Sequence, residues 1–482
     1  MKRCRVGFCG PLLVMLASIL IGIGVCHSFK PLPEGLSEVG GERHASSVRF
    51  LRDLTFHNGA SGRVTEHEIF DSVFSMIDRA ESFVLVDMFL FNPFLGAAQS
   101  AERALSQELT DRILRKREQA PHVEIVVITD PINELYGGCR ADHLEQLRGA
   151  GIRVVVSRLS GLRDSNPSYS SLWRLGLQWW GNRPGILAPN PLGSGRVSAR
   201  SYLHLLNFKA NHRKVILADD TEGLIGLVAS ANPHDGSAAH ENVALQFRGT
   251  AVLDLLRAEN AVLKLSHAKP LEVQVDAVAQ PLFLGGDELT LQVATEGKIK
   301  EKILQTLATV GADDRVDLVM FYLSHRDILR ALRGALARGA ELRVVLDPNR
   351  DAFGWKKSGM PNRLSARELI PEGAEVRWRE TRGEQCHSKL LYVEYADGGA
   401  LLALGSANYT RRNLDDLNLE LNVFLKGLAS DPVFGSVRDY FNLLWSDGDG
   451  DPMTVPYERY RDESLIRRQL CRLMEWSGVC TW

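Results

Sequence analysis

Residues 386–394 read CHSKLLYVE, and residues 211–220 read NHRKVILADD. Each sets a histidine two residues ahead of a lysine, His387 with Lys389 and His212 with Lys214, where an apolar run begins. Along an extended strand, residues i and i+2 point to the same face, so each His–Lys pair shares one. An acid follows each lysine at equal distance, Asp219 in one copy and Glu394 in the other. One such fragment alone reads as an ordinary half-exposed strand end. Two copies call for a comparison of the sequence around them.

The surroundings repeat as well. ESFVLVDMFLFN (from Glu81) and RVDLVMFYLSH (from Arg315) are apolar runs of strand type, each preceded by a helical pattern, HEIFDSVFSMIDRA or KIKEKILQTLATV. HVEIVVITDPIN (from His122) and AELRVVLDPNRD (from Ala340) both end in Asp-Pro, at Asp130 and Asp347. GIRVVVSR (from Gly151) pairs with GAEVRWRE (from Gly373). After each His–Lys strand comes a second strand closing in Ser-Ala-Asn, with Ser230 and Asn232 in one copy and Ser406 and Asn408 in the other. A last strand carries an acid in each copy, Glu241 in HENVALQF and Glu420 in LNLELNVF. Strands alternating with helices imply crossover units. The expected fold is α/β: two pseudo-twofold halves, each a mixed β-sheet flanked by helices, with one His–Lys pair facing the other across a shared cleft.

Such a cleft suits phosphate chemistry. Lys214 and Lys389 supply positive charge, and Asn232, Asn408, Ser230 and Ser406 supply donors for phosphate oxygens. Two histidines on opposite sides suit in-line displacement, one attacking phosphorus and the other protonating the departing oxygen. Glu241 and Glu420 are expected to hold the second ring nitrogen of each histidine. The reaction class is phosphodiester cleavage or transfer through a phosphohistidine. The sequence shows no CxxC pair and no His-rich metal spacing, so no metal and no cofactor is expected.

The doubled H-x-K-x4-acid followed by Ser-x-Asn resembles the phospholipase D superfamily, over about residues 49–447. The resemblance implies one active site between two halves, residues 49–270 and 271–447, and metal-independent phosphatidyl or phosphodiester transfer. It also implies that His212 is the nucleophile and His387 the general acid, with Asp219 and Glu394 in supporting places. Two positions depart from the pattern: Glu394 stands for an aspartate, and Ala229 for a glycine.

The 482 residues carry a formal net charge of −2, so no global positive field gathers nucleic acid. Lys2, Arg3 and Arg5 precede an uncharged run from Val6 to Cys26. A run of that length nearly spans a bilayer as a helix. Residues 1–27 are therefore expected to be a signal anchor that leaves the rest on the extracytoplasmic side, the alternative being a cleaved signal that releases it. Residues 28–48 read as a polar linker, and residues 448–482 as a tail with an amphipathic helix docked on the second half. Cys4, Cys9 and Cys26 lie in or beside the anchor, Cys471 and Cys480 are spaced for a local disulfide, and Cys139 and Cys386 have no evident partner.

The first half inserts about fifty residues, 158–210, rich in tryptophan at Trp173, Trp179 and Trp180. These rings serve either as a lipid-contacting rim or as packing under a long loop; Arg174 and Arg183 would suit a stacking surface for single-stranded nucleic acid. Lys356, Lys357, Arg411 and Arg412 are further candidates for contact with a phosphate, and His234 and His240 for the entrance of the cleft. The expected function is a phospholipase D or a cardiolipin-synthase-like phosphatidyltransferase. Its partners would be a phospholipid substrate at the membrane and water, an alcohol or a lipid as acceptor. An exported nuclease and a non-catalytic lipid-binding protein are the alternatives.

Overall fold

The computed structural model describes residues 9–58, 62–96, 101–182, 188–190, 195–273, 289–352, 355–446, 452–480 and 482. Lys2, Arg3, Cys4, Arg5 and Arg183 lie outside the described residues.

Two mixed sheets carry the fold. The first contains β1 (Ser46–Asn58), β2 (Gly62–His67), β3 (Phe83–Met88), β4 (Glu124–Thr129), β5 (Arg153–Val156), β6 (Lys214–Asp220), β7 (Gly223–Ala229) and β8 (Asn242–Arg248), in the order β2-β1-β8-β7-β6-β3-β4-β5. The second contains β9 (Thr290–Thr295), β10 (Arg315–Met320), β11 (Glu341–Leu346), β12 (Glu375–Arg379), β13 (Lys389–Glu394), β14 (Gly399–Gly405), β15 (Leu421–Leu428) and β16 (Thr454–Pro456). Its order is β9-β15-β14-β13-β10-β11-β12-β16, with Arg43–His44 added beside β9. In each sheet the three strands that alternate with helices run parallel, β3-β4-β5 and β10-β11-β12. Each His–Lys strand lies antiparallel against the first of these, β6 on β3 and β13 on β10.

The strand sequences explain the layering. In β3 (FVLVDM) every residue is buried, so both faces are covered. Leu85 joins a core that also holds Val215, Val423 and Leu390, drawn from both sheets. Val84 and Val86 point the other way, into a core shared with Phe70, Val73 and Ile77 of the helix Ile69–Arg79. The second sheet has its own outer core, where Leu318 and Val344 meet Ile303 and Leu332 of its helices. The sheets thus face each other across one apolar layer and carry helices on their outer faces. This is a mixed α/β fold, the class implied by the alternating patterns.

Helix α1 (Cys9–Phe29) contains a 20-residue stretch, Gly10–Phe29, long and apolar enough to cross a membrane. Its C-terminal end packs on the insertion, at α2 (Pro167–Leu175). A Cβ on Gly24 would sit 2.9 Å from Ser171 Oγ, so glycine is what allows the close approach. The Asp164 N–H donates to the His27 carbonyl (3.0 Å), and Lys30 Nζ to the Ser160 carbonyl (2.8 Å). The segment read as a linker is ordered onto the second sheet, where the Gly40 N–H donates to the Val293 carbonyl.

The C-terminal helix α3 (Leu465–Ser477) sits against the second sheet's side of the molecule through polar contacts. Arg411 donates to the carbonyls of Glu475 and Trp476, and Ser324 to the Glu475 carboxylate. Cys471 and Cys480 are both free thiols, so the expected local disulfide is not formed. Each is buried, with the Cys480 thiol directed at the Trp482 carbonyl.

Candidate active site

His212 and His387 open onto one cleft of about 310 Å³, lined also by Asn232 and Asn408 among others, while Lys214 and Lys389 are buried behind them. Each pair enters by the same route. The His212 N–H donates to the Leu419 carbonyl, and the His387 N–H to the Glu241 carbonyl, both at 2.9 Å. The start of each His–Lys strand is therefore fixed by backbone of the other half, just ahead of β15 for His212 and just ahead of β8 for His387. The residue ahead of each histidine is held from its own side. The Asn211 N–H donates to Asp130 Oδ2 (2.7 Å), and the Cys386 N–H to Asp347 Oδ2 (2.8 Å). Burial pushes these carboxyls up, Asp130 to about 7 and Asp347 to about 6, against the backbone donors that favour their charged forms.

The ring partners of the histidines differ. His212 Nδ1–H donates to Glu420 Oε2 at 3.0 Å, and the same carboxylate takes donors from Ser406 Oγ and Asn413 Nδ2. His387 Nδ1–H donates to Asn242 Oδ1 at 3.1 Å, and Ser230 Oγ donates to that oxygen at 3.0 Å. Asn242 Nδ2 donates to the His240 carbonyl, which fixes which end of the amide faces His387. Both rings are thus Nδ1–H tautomers that leave Nε2 for a substrate.

Glu241 does not hold a histidine. Ala229 pairs with Ala244, and Gly405 with Asn422. Two residues earlier, the counterpart of Glu420 is therefore Asn242. Equating Glu241 with Glu420 slips the register by one residue, which sends a side chain to the opposite face. The Glu241 carboxylate instead receives Arg379 Nε (2.6 Å), Tyr440 Oη (2.9 Å) and the Cys386 thiol (3.3 Å). That contact is what engages Cys386.

The lysines lie beneath the histidines. Lys214 Nζ donates to the His212 carbonyl, and Lys389 Nζ to the His387 carbonyl (2.6 Å). Burial lowers Lys214 to about 7 despite the pull of Glu420, and burial and Lys214 together hold Lys389 well below its ordinary value. Burial takes His212 down to about 4 against the attraction of Glu420. Burial, Lys389 and His240 press His387 well below its usual range. Burial first, and repulsion between these groups second, disfavour their protonated forms, so a bound anion would favour them.

A phenylalanine packs against each pair, edge-on at His212 and tilted at His387. The Phe89 ring lies 4.8 Å from His212 with Lys214 Nζ 5.0 Å from its centroid, and Phe321 lies 4.9 Å from His387 with Lys389 Nζ at 5.1 Å. These two were missed as site residues, although Met-Phe recurs at Met88–Phe89 and Met320–Phe321.

Other expected residues divide. Asn232 Oδ1 accepts the Leu90 N–H (3.2 Å) and Asn408 lines the cleft, while Asp219 and Glu394 lie apart from it. Asp219 Oδ1 accepts the N–H groups of Ser82 and Phe83 at the start of β3, and Glu394 pairs with Arg315. Lys357 reaches the cleft and donates to the Tyr322 hydroxyl, whereas Lys356 is exposed. Arg412 lines the cleft bound to the carbonyls of Phe208 and Cys480; Arg411 lies at α3 instead. His240 lines the cleft 6.2 Å from His387, ring to ring, and His234 bonds Ser237. In the insertion, Trp173 is buried, while Trp179 and Trp180 are 76% and 54% exposed.

Residues 306–445 match the family described as "Cardiolipin synthase, PLD-like domain". That segment is similar to a phospholipase D-like domain. It is 27% identical over 293 residues to a cardiolipin synthase of Halalkalibacterium halodurans, covering 56% of this chain and 52% of that protein. It is 25% identical to the probable cardiolipin synthase YwiE of Bacillus subtilis, covering 65% of this chain and 59% of that one. The chain thus spans between half and three-fifths of these two relatives. A likeness of fold to a solved structure extends beyond the matched segment. A phosphatidylserine synthase from Haemophilus influenzae superposes with a TM-score of 0.56 at 12% identity, covering 96% of this chain and 99% of that one.

Proposed function

We propose that this chain is a phosphatidyltransferase of the phospholipase D type, acting on phospholipids through a phosphohistidine on His212. The observation that carries this reading is the convergence of His212 and His387 on one cleft, each aimed by a separate Nδ1 partner and backed by a buried lysine. The two halves, residues 49–270 and 271–447, are related by a pseudo-twofold. The matching strand orders and the reciprocal bonds at His212 and His387 support that relation.

His212 is the better nucleophile. Attack on phosphorus puts positive charge on the imidazole, and Glu420 lies 3.0 Å from its Nδ1 to stabilise it. Asn242 offers His387 a neutral acceptor, so its imidazolium is less stable and a readier acid. The His212 Nε2 lone pair forms the N–P bond as the leaving oxygen takes the proton of His387 Nε2. An acceptor hydroxyl then attacks phosphorus, returns its proton to His387, and the N–P bond breaks. Lys214, Lys389 and the Asn232 and Asn408 amides hold the phosphoryl oxygens throughout. A lipid hydroxyl as acceptor gives cardiolipin-synthase-like transfer; water gives hydrolysis to a phosphatidic acid.

The apolar helix α1 would anchor the enzyme, with the cleft on the extracytoplasmic side. Its contacts with Ser171 and Asp164 make its last turns part of the fold, which favours an uncleaved anchor. The exposed Trp179 and Trp180 would lie at the lipid interface. The test is an assay of the full chain in phosphatidylglycerol vesicles with a primary alcohol, run beside single-stranded DNA. Transphosphatidylation that disappears in both His212→Ala and His387→Ala is expected. DNA cleavage with lipid untouched would replace this reading by a nuclease.

A further inference from the structure

A second cavity, of about 440 Å³, adjoins the cleft and shares Tyr136 and Lys209 with it. Its volume is that of a ligand site, which typically measures roughly 300–1,000 Å³. The insertion and the residues just before it build its walls, and its lining is strongly cationic. Arg158, Arg174, Arg200 and Lys209 face one carboxylate, Asp164. Asp164 is already engaged: Arg174 grips it with two hydrogen bonds (2.7 and 2.9 Å), and Lys209 Nζ lies 2.6 Å from Oδ1. Arg158 and Arg200 have no carboxylate partner among the described residues. The Arg200 guanidinium lies over the Trp173 ring at 5.5 Å, an arrangement that holds a cation in place without neutralising it.

The back wall is a stack of three rings. His204 lies 4.6 Å from Trp173 and 4.4 Å from Tyr136, centroid to centroid. His204 Nδ1 is buried and has no hydrogen-bond partner among the described residues. A buried polar atom beside unneutralised guanidinium groups costs free energy until a ligand supplies an acceptor or donor. The location narrows the ligand further. Ser160 and Asp164 line this cavity and also bind Lys30 and the His27 carbonyl at the end of α1. The cavity therefore sits beside the end of an apolar helix long enough to cross a membrane, which on the anchoring proposed above would bring it near lipid head groups.

We propose that this cavity is a phosphate-binding subsite beside the reacting cleft. It takes the phosphodiester of a second anionic phospholipid, or a free phosphate, through Arg158, Arg200 and His204. As a neighbour of a reacting lipid it rests on the function proposed above; as a phosphate site it does not. In a transfer between two lipids, it would hold one molecule beside the other and shorten the acceptor's search.

The test uses the full chain in phosphatidylcholine nanodiscs, carrying His212→Ala to prevent turnover. It is titrated calorimetrically with short-chain phosphatidylglycerol. Two equivalents are expected to bind, falling to one in His212→Ala/Arg158→Ala/Arg200→Ala, with at least a tenfold loss of affinity for the second. Arg158→Lys and Arg200→Lys in the His212→Ala background should retain the second equivalent, which separates lost charge from lost folding. Inorganic phosphate that displaces one equivalent, and only when both arginines are present, assigns the subsite to free phosphate. Phosphate without effect assigns it to the lipid. Equal stoichiometry with and without the arginines overturns the proposal. Transphosphatidylation by the wild type is measured separately, so an inactive enzyme that binds two equivalents would sink the enzymatic reading and leave the subsite standing.

Discussion

His212 and His387 occupy matched places, but an anionic carboxylate meets one and a neutral amide the other. This asymmetry sets the pH dependence. In the proposed mechanism the reactive form has His212 neutral and His387 protonated, yet burial and the neighbouring lysines lower both rings, His212 to about 4. In the free enzyme kcat/KM should therefore be greatest under acidic conditions and fall as pH rises and His387 loses its proton. Asn242→Asp places a carboxylate on His387, favours its imidazolium and raises its pKa. The fall should then move upward by about one unit or more; a pH–rate profile showing no upward shift would count against His387 as the acid. The lysines supply the positive charge, so EDTA should leave activity intact, and inhibition rescued by a divalent ion would contradict this. The pairing itself was legible in the sequence, because H-x-K recurs whole. The partner of His387 was not. Glu241 and Asn242 are adjacent, and only the ladder between β7 and β8 tells which of them faces the cleft.

At the level of elements, the strand series was readable because alternating apolar patterns and Asp-Pro ends recur in order. What joins the sheets was not, since the bonds from His212 to Leu419 and from His387 to Glu241 link residues far apart in sequence. The turn after β14 shows how the copies have diverged. A Cβ on Gly405, where φ is 155°, would lie 2.3 Å from the Leu421 carbonyl and 2.6 Å from Asn422 Oδ1. In the first sheet Ala229 faces Ala244 at the same place, and its φ is not positive. The alanine that departs from the family pattern is therefore accommodated. Gly405→Ala should destabilise the protein by about 1–3 kcal/mol, read from the urea midpoint, with Asn422→Ala relieving part of the loss. No change in midpoint would mean the turn adjusts freely.

For the whole molecule, buried ion pairs tie the sheets together. Arg213, beside His212, reaches Glu296 (2.6 Å) at the end of β9, and Arg379 of β12 reaches Glu241 (2.6 Å) just before β8. Neither pair was visible in the sequence, where the partners lie far apart and Glu241 reads as a partner of a histidine. Removing one partner leaves the other buried and uncompensated. Arg379→Leu should therefore cost about 3–5 kcal/mol and lower activity through the position of His387, measured by chemical denaturation and by assay. A variant as stable as the wild type would show that the Glu241 carboxylate finds another partner.

The measurement closest to the central claim is rapid acid-free quenching of the enzyme with phosphatidylglycerol, followed by peptide mass spectrometry. A phosphatidyl adduct is predicted on the peptide containing His212, absent in His212→Ala and formed more slowly in His387→Ala. An adduct on His387 instead, or turnover with no adduct on either histidine, would contradict the account.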